Sequence, residues 1–481
     1  MNAMRFYLLF SLLLAGCLPE ERVWWSPQGD RALVCIDGRL YLADADGRLG
    51  EALMEDASMK NALVKTASWL RDGGGFVLQR TRVIPHWEEA RMLIPTEEVE
   101  SVEAMLPVVL PLLEAATRLA DKAKTLEDVV SALPDMQRER FGYAVRRVFE
   151  QDPVAVEKLL RALPEGGDLM KSMRKPDAGY AVGELCLFRL REDHVVETRS
   201  LVRSLLKPVL APRVSPQQDA LAFLRLDDDG ESAALEVMML DGTPAFTVAH
   251  KVSAAFDWTP DGLALVFMAP LGGEGEKLHS IHRISVFQEG GEKIEKRSPP
   301  VTLATAITLN RPVVQVLADG RVLFASQPVT LPATGTGPEL SPRLFVIAAD
   351  GSTVAPVPTA PGDLPVNLGF FTASPDGKRV AVVESETDAV AVVEIDSGKT
   401  QIISPPHPRW QCRTMPAWKS AAELTFAALH EGAPAWMLWS EGKPLRCISG
   451  SWSKTSTAKW LEQKNDNTTN PAPISKPDPA R

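Results

Sequence analysis

Trp258-Thr259-Pro260-Asp261-Gly262 runs directly into Leu263-Ala264-Leu265-Val266-Phe267-Met268. The first stretch spells a tight turn: Pro presets φ, Asp bonds nearby backbone, and Gly supplies φ > 0. The second is a short apolar run bounded by turn signals, which predicts a strand. Working outward, the same turn recurs at Ser26-Pro27-Gln28-Gly29 and Ser374-Pro375-Asp376-Gly377. Weaker copies keep only Asp72-Gly73, Asp319-Gly320 or Ser215-Pro216, and a seventh, Lys419 to Ala422, is placed by its neighbours. Trp25, Trp69, Trp258 and Trp418 each precede their turn by one residue.

Each copy continues into a second hairpin. Examples are Leu40–Gly47, Leu344–Gly351 and Val390–Gly398, where an Asp-Gly or Asp-Ser-Gly turn joins strand-like runs. Asp-Gly between two such runs is a strong hairpin signal. A unit therefore offers four short antiparallel strands, named a to d below. Repetition at about 40–50 residues points to a radial or stacked architecture. The expected fold is all-β: a β-propeller of about seven four-stranded blades, six or eight being left open by the weaker copies. The first and last units both look complete, so no ring-closing strand is evident. The W-S-P-D-G turn with its L-x-x-x-D-x-x-x-G hairpin resembles the TolB-type propeller repeat over about residues 22–450. That resemblance implies the fold; its relatives include periplasmic binding proteins and the propellers in front of peptidase domains.

Residues 96–175 break the β pattern. Thr96-Glu97-Glu98 is a helix start, Pro107 or Pro111 opens another helix, and Thr125-Leu126-Glu127-Asp128 starts a further one. Phe141, Val145, Val148 and Phe149 give one apolar face between Pro134 and Glu150, and Asp152-Pro153 opens the last helix. This helical insertion falls in the b–c loop of blade 2. The b–c loops of blades 4 and 5 are also long, and blade 3 adds Asp227-Asp228-Asp229-Gly230-Glu231 at the same place. All b–c loops leave a propeller on one face, so that face is expected to carry a partner site. Its candidate residues are Asp227, Asp228 and Asp229, with the basic cluster Arg138, Arg140, Arg146 and Arg147, which also reads as a solvated helix face.

The N-terminus gives an address. One basic residue, a short apolar run and small residues precede Cys17, the layout of a secretory signal too short to span a bilayer. Leu14-Ala15-Gly16-Cys17 resembles the bacterial lipobox, which implies lipidation of Cys17 and residues 1–17 as signal. Leu18, in place of Asp, resembles lipoproteins sent to the outer membrane, on its periplasmic side or at the cell surface. About five residues join Cys17 to the first strand, a reach of at most roughly 15–20 Å. In an oxidising compartment disulfides persist. Cys35 and Cys186 are expected as buried thiols, and Cys412–Cys447 as a bridge. Residues 465–481 are polar, proline-rich and expected to be disordered.

A net charge of −10 argues against nucleic acid. No G-x-S-x-G follows the propeller. His279-Ser280-Ile281-His282 is the one close histidine pair, short of the three or four ligands that zinc needs. Asp227-Asp228-Asp229 has the wrong spacing for an EF-hand. Neither a metal nor a cofactor is expected. Glu88 and Glu89 beside His86 read as surface, and the tryptophans before the turns as blade packing. The expected function is a non-enzymatic, membrane-anchored envelope lipoprotein acting as a protein-interaction scaffold. The alternatives are a small-molecule or glycan receptor using the central channel, with the helices as a lid, and a hydrolase with an unrecognised site.

Overall fold

The computed structural model describes residues 22–452 except 37, 54–61, 121–134, 164–165, 176–177, 228–231, 273–277, 295–297, 309–311, 328–342, 359–365, 385–388, 405–414 and 431–432. Its strands form seven four-stranded antiparallel sheets, each from four consecutive strands. The blades span 23–52, 62–204, 209–252, 256–307, 314–356, 366–402 and 417–447. Seven apolar clusters lie between them, one per junction: Trp24, Leu33 and Phe76 between blades 1 and 2, for example, and Val77, Leu185 and Phe223 between blades 2 and 3.

Successive residues of a strand point to opposite faces. Val77 therefore serves one junction and Leu78 the other. Both faces of a blade are covered, which is why the b strands read as continuous apolar runs and not as alternating ones.

Strand a carries a repeated cross-blade hydrogen bond. Trp69 Nε1 donates to the Trp24 carbonyl, Trp258 Nε1 to that of Arg213, and Trp418 Nε1 to that of Thr372, at 2.8–2.9 Å. Blades 3, 5 and 6 have Val214, Val316 and Ala373 where these blades have Trp. There the backbone N–H of that residue donates to a side chain of the preceding blade: Ser68, Asp257 and Gln315 respectively. Where the indole is missing, the previous blade supplies a polar acceptor one residue before its own Trp position. A buried N–H left without a partner would cost about 1–3 kcal/mol.

The seventh junction closes the ring without sharing a strand. Trp25 Nε1 donates to Thr425 Oγ1 at 2.9 Å, and Thr425 Oγ1 donates to the Ala417 carbonyl at 3.0 Å. The hydroxyl thus relays the same Trp-to-carbonyl link across a longer gap. Trp25 stacks on Trp436 with centroids 5.5 Å apart, and Trp452 Nε1 reaches back to the Gly47 carbonyl.

Candidate partner-docking face

Alternating strand direction places the a–b and c–d turns on one face of the ring, and the b–c loops and d–a connections on the other. The turn face is interlocked. Gly29, at φ +69°, has the Lys419 carbonyl of blade 7 so close that a Cβ would sit 2.3 Å from its oxygen. Guanidinium groups also reach from one blade to the next, as Arg71 does to the Gln217 carbonyl and Arg379 to that of Ala421.

The other face carries the helices. Strands b and c of blade 2, Gly75–Ile84 and Tyr180–Arg191, are 10 and 12 residues long, against 6 for strand b of blade 1. They rise above the ring and hold α1 (Trp87–Ala90), α2 (Thr96–Glu103), α3 (Leu106–Ala120), α4 (Asp135–Gln151), α5 (Pro153–Leu160) and α6 (Gly166–Met173). Helix begins at Trp87, ahead of Thr96, because the indole buries completely beside Tyr180, at 5.2 Å between centroids. Asp152 caps α5 by accepting from Ala155 N, with Pro153 in the first turn. The proposed helix start at Thr125 lies outside the described residues.

The helical core is continuous with the propeller: Val102, Leu113, Phe141 and Leu160 pack in one cluster with Ile84, Tyr180, Val182 and Leu206 of blade 2 and its connection. Two polar anchors fix it. Glu98 of α2 accepts from Ser204 Oγ, Leu205 N and Leu206 N at 2.5, 2.6 and 3.1 Å. Arg146 of α4 donates to the carbonyls of Pro85 and Ala178, which flank the entry and exit of the insertion, and lies over the Tyr180 ring. Burial, with the nearby Glu150 carboxylate, pushes the Tyr180 hydroxyl well above its ordinary range.

The structure separates the candidate arginines. Arg146 faces inward, Arg147 pairs with Glu88 at 2.7 Å, and Arg138 and Arg140 lie half-buried earlier on α4. Asp227 closes its own loop, accepting from Ser232 Oγ and Lys251 N; Asp228 and Asp229 lie outside the described residues. So do Cys17, Trp410, Cys412 and the tail. Cys447 carries a free thiol 3.5 Å from Ser449 Oγ, and the thiols of Cys35 and Cys186 are buried. His279 and His282 sit three apart on one strand and so face opposite ways; His282 lies between Ser280 and Thr302. Burial lowers its pKa. Among the described residues no group of three or more His, Cys, Asp or Glu is placed to hold a metal ion, and no helix is long and apolar enough to cross a membrane.

Exposed apolar side chains follow the same asymmetry. Val196, Val301, Val354 and Ile402 lie on outer d strands. The other large ones are Leu63 at the upper end of strand a in blade 2, Met92, Val108 and Val154 on the helical insertion, and Leu271 and Leu278 at the b–c loop of blade 4. None lies on a described a–b or c–d turn.

No family profile and no curated protein matches the chain. Solved structures do. TolB from Acinetobacter baumannii is 16% identical, with 55% of this chain and 61% of that one covered and a TM-score of 0.35. Puromycin hydrolase is 11% identical, with 91% and 55% covered and a TM-score of 0.49. The β-propeller domain of the Trilobed protease from Pyrococcus furiosus is 13% identical, with 56% and 77% covered and a TM-score of 0.37. The chain thus matches less than two thirds of the TolB and puromycin hydrolase chains. These likenesses concern fold alone. Seven four-stranded blades with W-S-P-D-G turns are what make this chain a TolB-like β-propeller.

Proposed function

We propose that the protein is a non-enzymatic scaffold of the cell envelope, tethered through lipidated Cys17, that docks a protein partner on the b–c face of its propeller. The observation that carries this is the asymmetry of the two faces. Every large exposed apolar side chain away from the outer strands lies on the b–c face or its helical insertion, and contiguous exposed apolar surface marks interaction sites. The described chain also enters strand a of blade 1 from that face, at Arg22. A tether from Cys17 therefore turns the b–c face toward the bilayer and toward a partner embedded in it.

The strand a tryptophans favour this reading over a ligand channel. Trp25, Trp69, Trp258 and Trp418 are buried in blade junctions with their N–H groups engaged, so they are not free to stack on a ligand.

The test is affinity capture from membranes with the full chain and with a Met92→Glu/Val154→Glu double variant. The partner retained by wild type is expected to be lost from the variant, while Lys443→Glu on the turn face retains it. Equal capture by the Met92/Val154 variant would contradict the assignment. Cys17→Ser is expected to move the protein from the membrane to the soluble fraction; retention in the membrane would remove the tether from the account.

A further inference from the structure

Blade 2 carries, on the side facing blade 1, a row of charges that neither the packing of the ring nor the docking of a partner requires. Arg80, Glu184 and Arg203 are register partners across strands b, c and d. Arg82 stands two residues above Arg80 on the same side. Glu184 is fully buried, and all three guanidinium groups converge on its carboxylate: Arg80 Nε at 2.9 Å, an Arg82 terminal nitrogen at 2.6 Å and Arg203 Nε at 3.0 Å.

One carboxylate against three guanidinium groups leaves two positive charges among these four side chains. Clustered, partly desolvated like charges are costly without a counter-charge. Glu98, close by through Ser204, has both oxygens engaged by Ser204, Leu205 and Leu206. Among the described residues Glu184 is the one carboxylate in ion-pair contact with Arg80, Arg82 or Arg203. Arg82 and Arg203 each give Glu184 a single nitrogen, and Arg82 Nε is buried without a partner among the described residues. Their side chains keep 18% and 35% exposure, so both reach solvent beside the buried pair. Glu184 acts as a pin that fixes the planes of several arginines, and arginine forks held in fixed orientation match the geometry of oxyanions.

We infer that Arg82 and Arg203, oriented by Glu184, form a binding site for a phosphate group on the b–c side of blade 2. The phosphate comes either from a free anion or from a phospholipid headgroup. The site does not depend on the b–c face holding a protein.

Calorimetric titration of the full chain with inorganic phosphate, at constant ionic strength and with chloride as reference, tests this. Saturable binding is expected, weakened about tenfold or more in Arg82→Gln and in Arg203→Gln and unchanged in the remote Arg118→Gln. Arg203 is the more exposed of the two, so its variant decides the matter even where Arg82→Gln fails to fold. A vesicle flotation arm separates the sources. Preference for phosphatidylglycerol over phosphatidylcholine that disappears in Arg203→Gln assigns a headgroup; phosphate binding without that preference assigns a free anion. Absence of both, or equal binding by all the variants, overturns the site.

Discussion

The two faces of this ring solve different problems. On the turn face, short glycine turns sit against the neighbouring blade, and arginines reach across to its carbonyls. On the b–c face, loops differ in length from blade to blade, and one has grown into a helical unit with a core of its own. A closed ring needs only one face and the strand a junctions to hold its blades in register. The other face is then free to vary, which is where binding surfaces are expected on a rigid scaffold.

The sharpest test of this contrast lies in the charged upper half of blade 2. Glu184→Ala leaves three arginines without their shared carboxylate and is expected to cost about 3–5 kcal/mol in urea unfolding. A loss under about 1 kcal/mol would mean that water already screens the cluster. Burial alone would raise the Glu184 pKa, but hydrogen bonds and charge from Arg82 and Arg80 win and hold it below its ordinary range. Its contribution is therefore present above the unfolded-state pKa and lost as pH falls through the lowered folded one.

The turn face is expected to break next. Gly29→Ala meets the Lys419 carbonyl and keeps a positive φ, for an expected loss of about 2–3 kcal/mol. Gly442, also at φ +69°, has open space around it, so Gly442→Ala is expected to cost only about 1 kcal/mol. Equal losses at the two sites would remove the interlock from the account.

Ring closure can be dissected at Thr425. Thr425→Val keeps the shape but removes the relay between Trp25 and Ala417, with an expected loss of about 1–3 kcal/mol. Thr425→Ser keeps the hydroxyl and is expected to stay close to wild type, measured by the same urea transitions.

A smaller, pH-dependent effect belongs to Asp257, whose carboxylate accepts from Val316 N across a junction. Burial raises its pKa, offset in part by Arg213 and two backbone N–H groups. The folded state then holds its proton to higher pH than the unfolded chain. Stability is complete below the unfolded pKa and declines as pH rises through the raised folded one. Asp257→Asn, which retains an acceptor for Val316 N, removes that decline, so its advantage over wild type should grow with pH across this window. A constant difference would contradict the assignment. Changes on the b–c face are expected to be smallest in stability: Met92→Glu/Val154→Glu should fall within about 0.5 kcal/mol of wild type.

The blade count and the place of the insertion were legible because turn chemistry is local: Pro, Asp and Gly at fixed offsets mark every blade. The junction chemistry was legible only in half. Trp before the turn stands out, but Ser68, Asp257 and Gln315 take on meaning only once Val214, Val316 and Ala373 are placed beside them. Thr425 lies 400 residues from Trp25, and no local pattern joins the two. Arg146 looks like one more exposed cation of a charged helix; what buries it is Tyr180, which belongs to a strand. Glu184 sits in a run that reads simply as an edge of strand c. Its partners become visible only through sheet register.

The central claim, that partners meet the b–c face, is tested most directly by photo-crosslinking in intact envelopes from single exposed positions on each face. Met92 and Leu271 represent the b–c face, and Ser397 and Lys443 the turn face. The account predicts a discrete protein adduct from Met92 and Leu271 and none from Ser397 or Lys443. Adducts confined to Ser397 and Lys443 would contradict it.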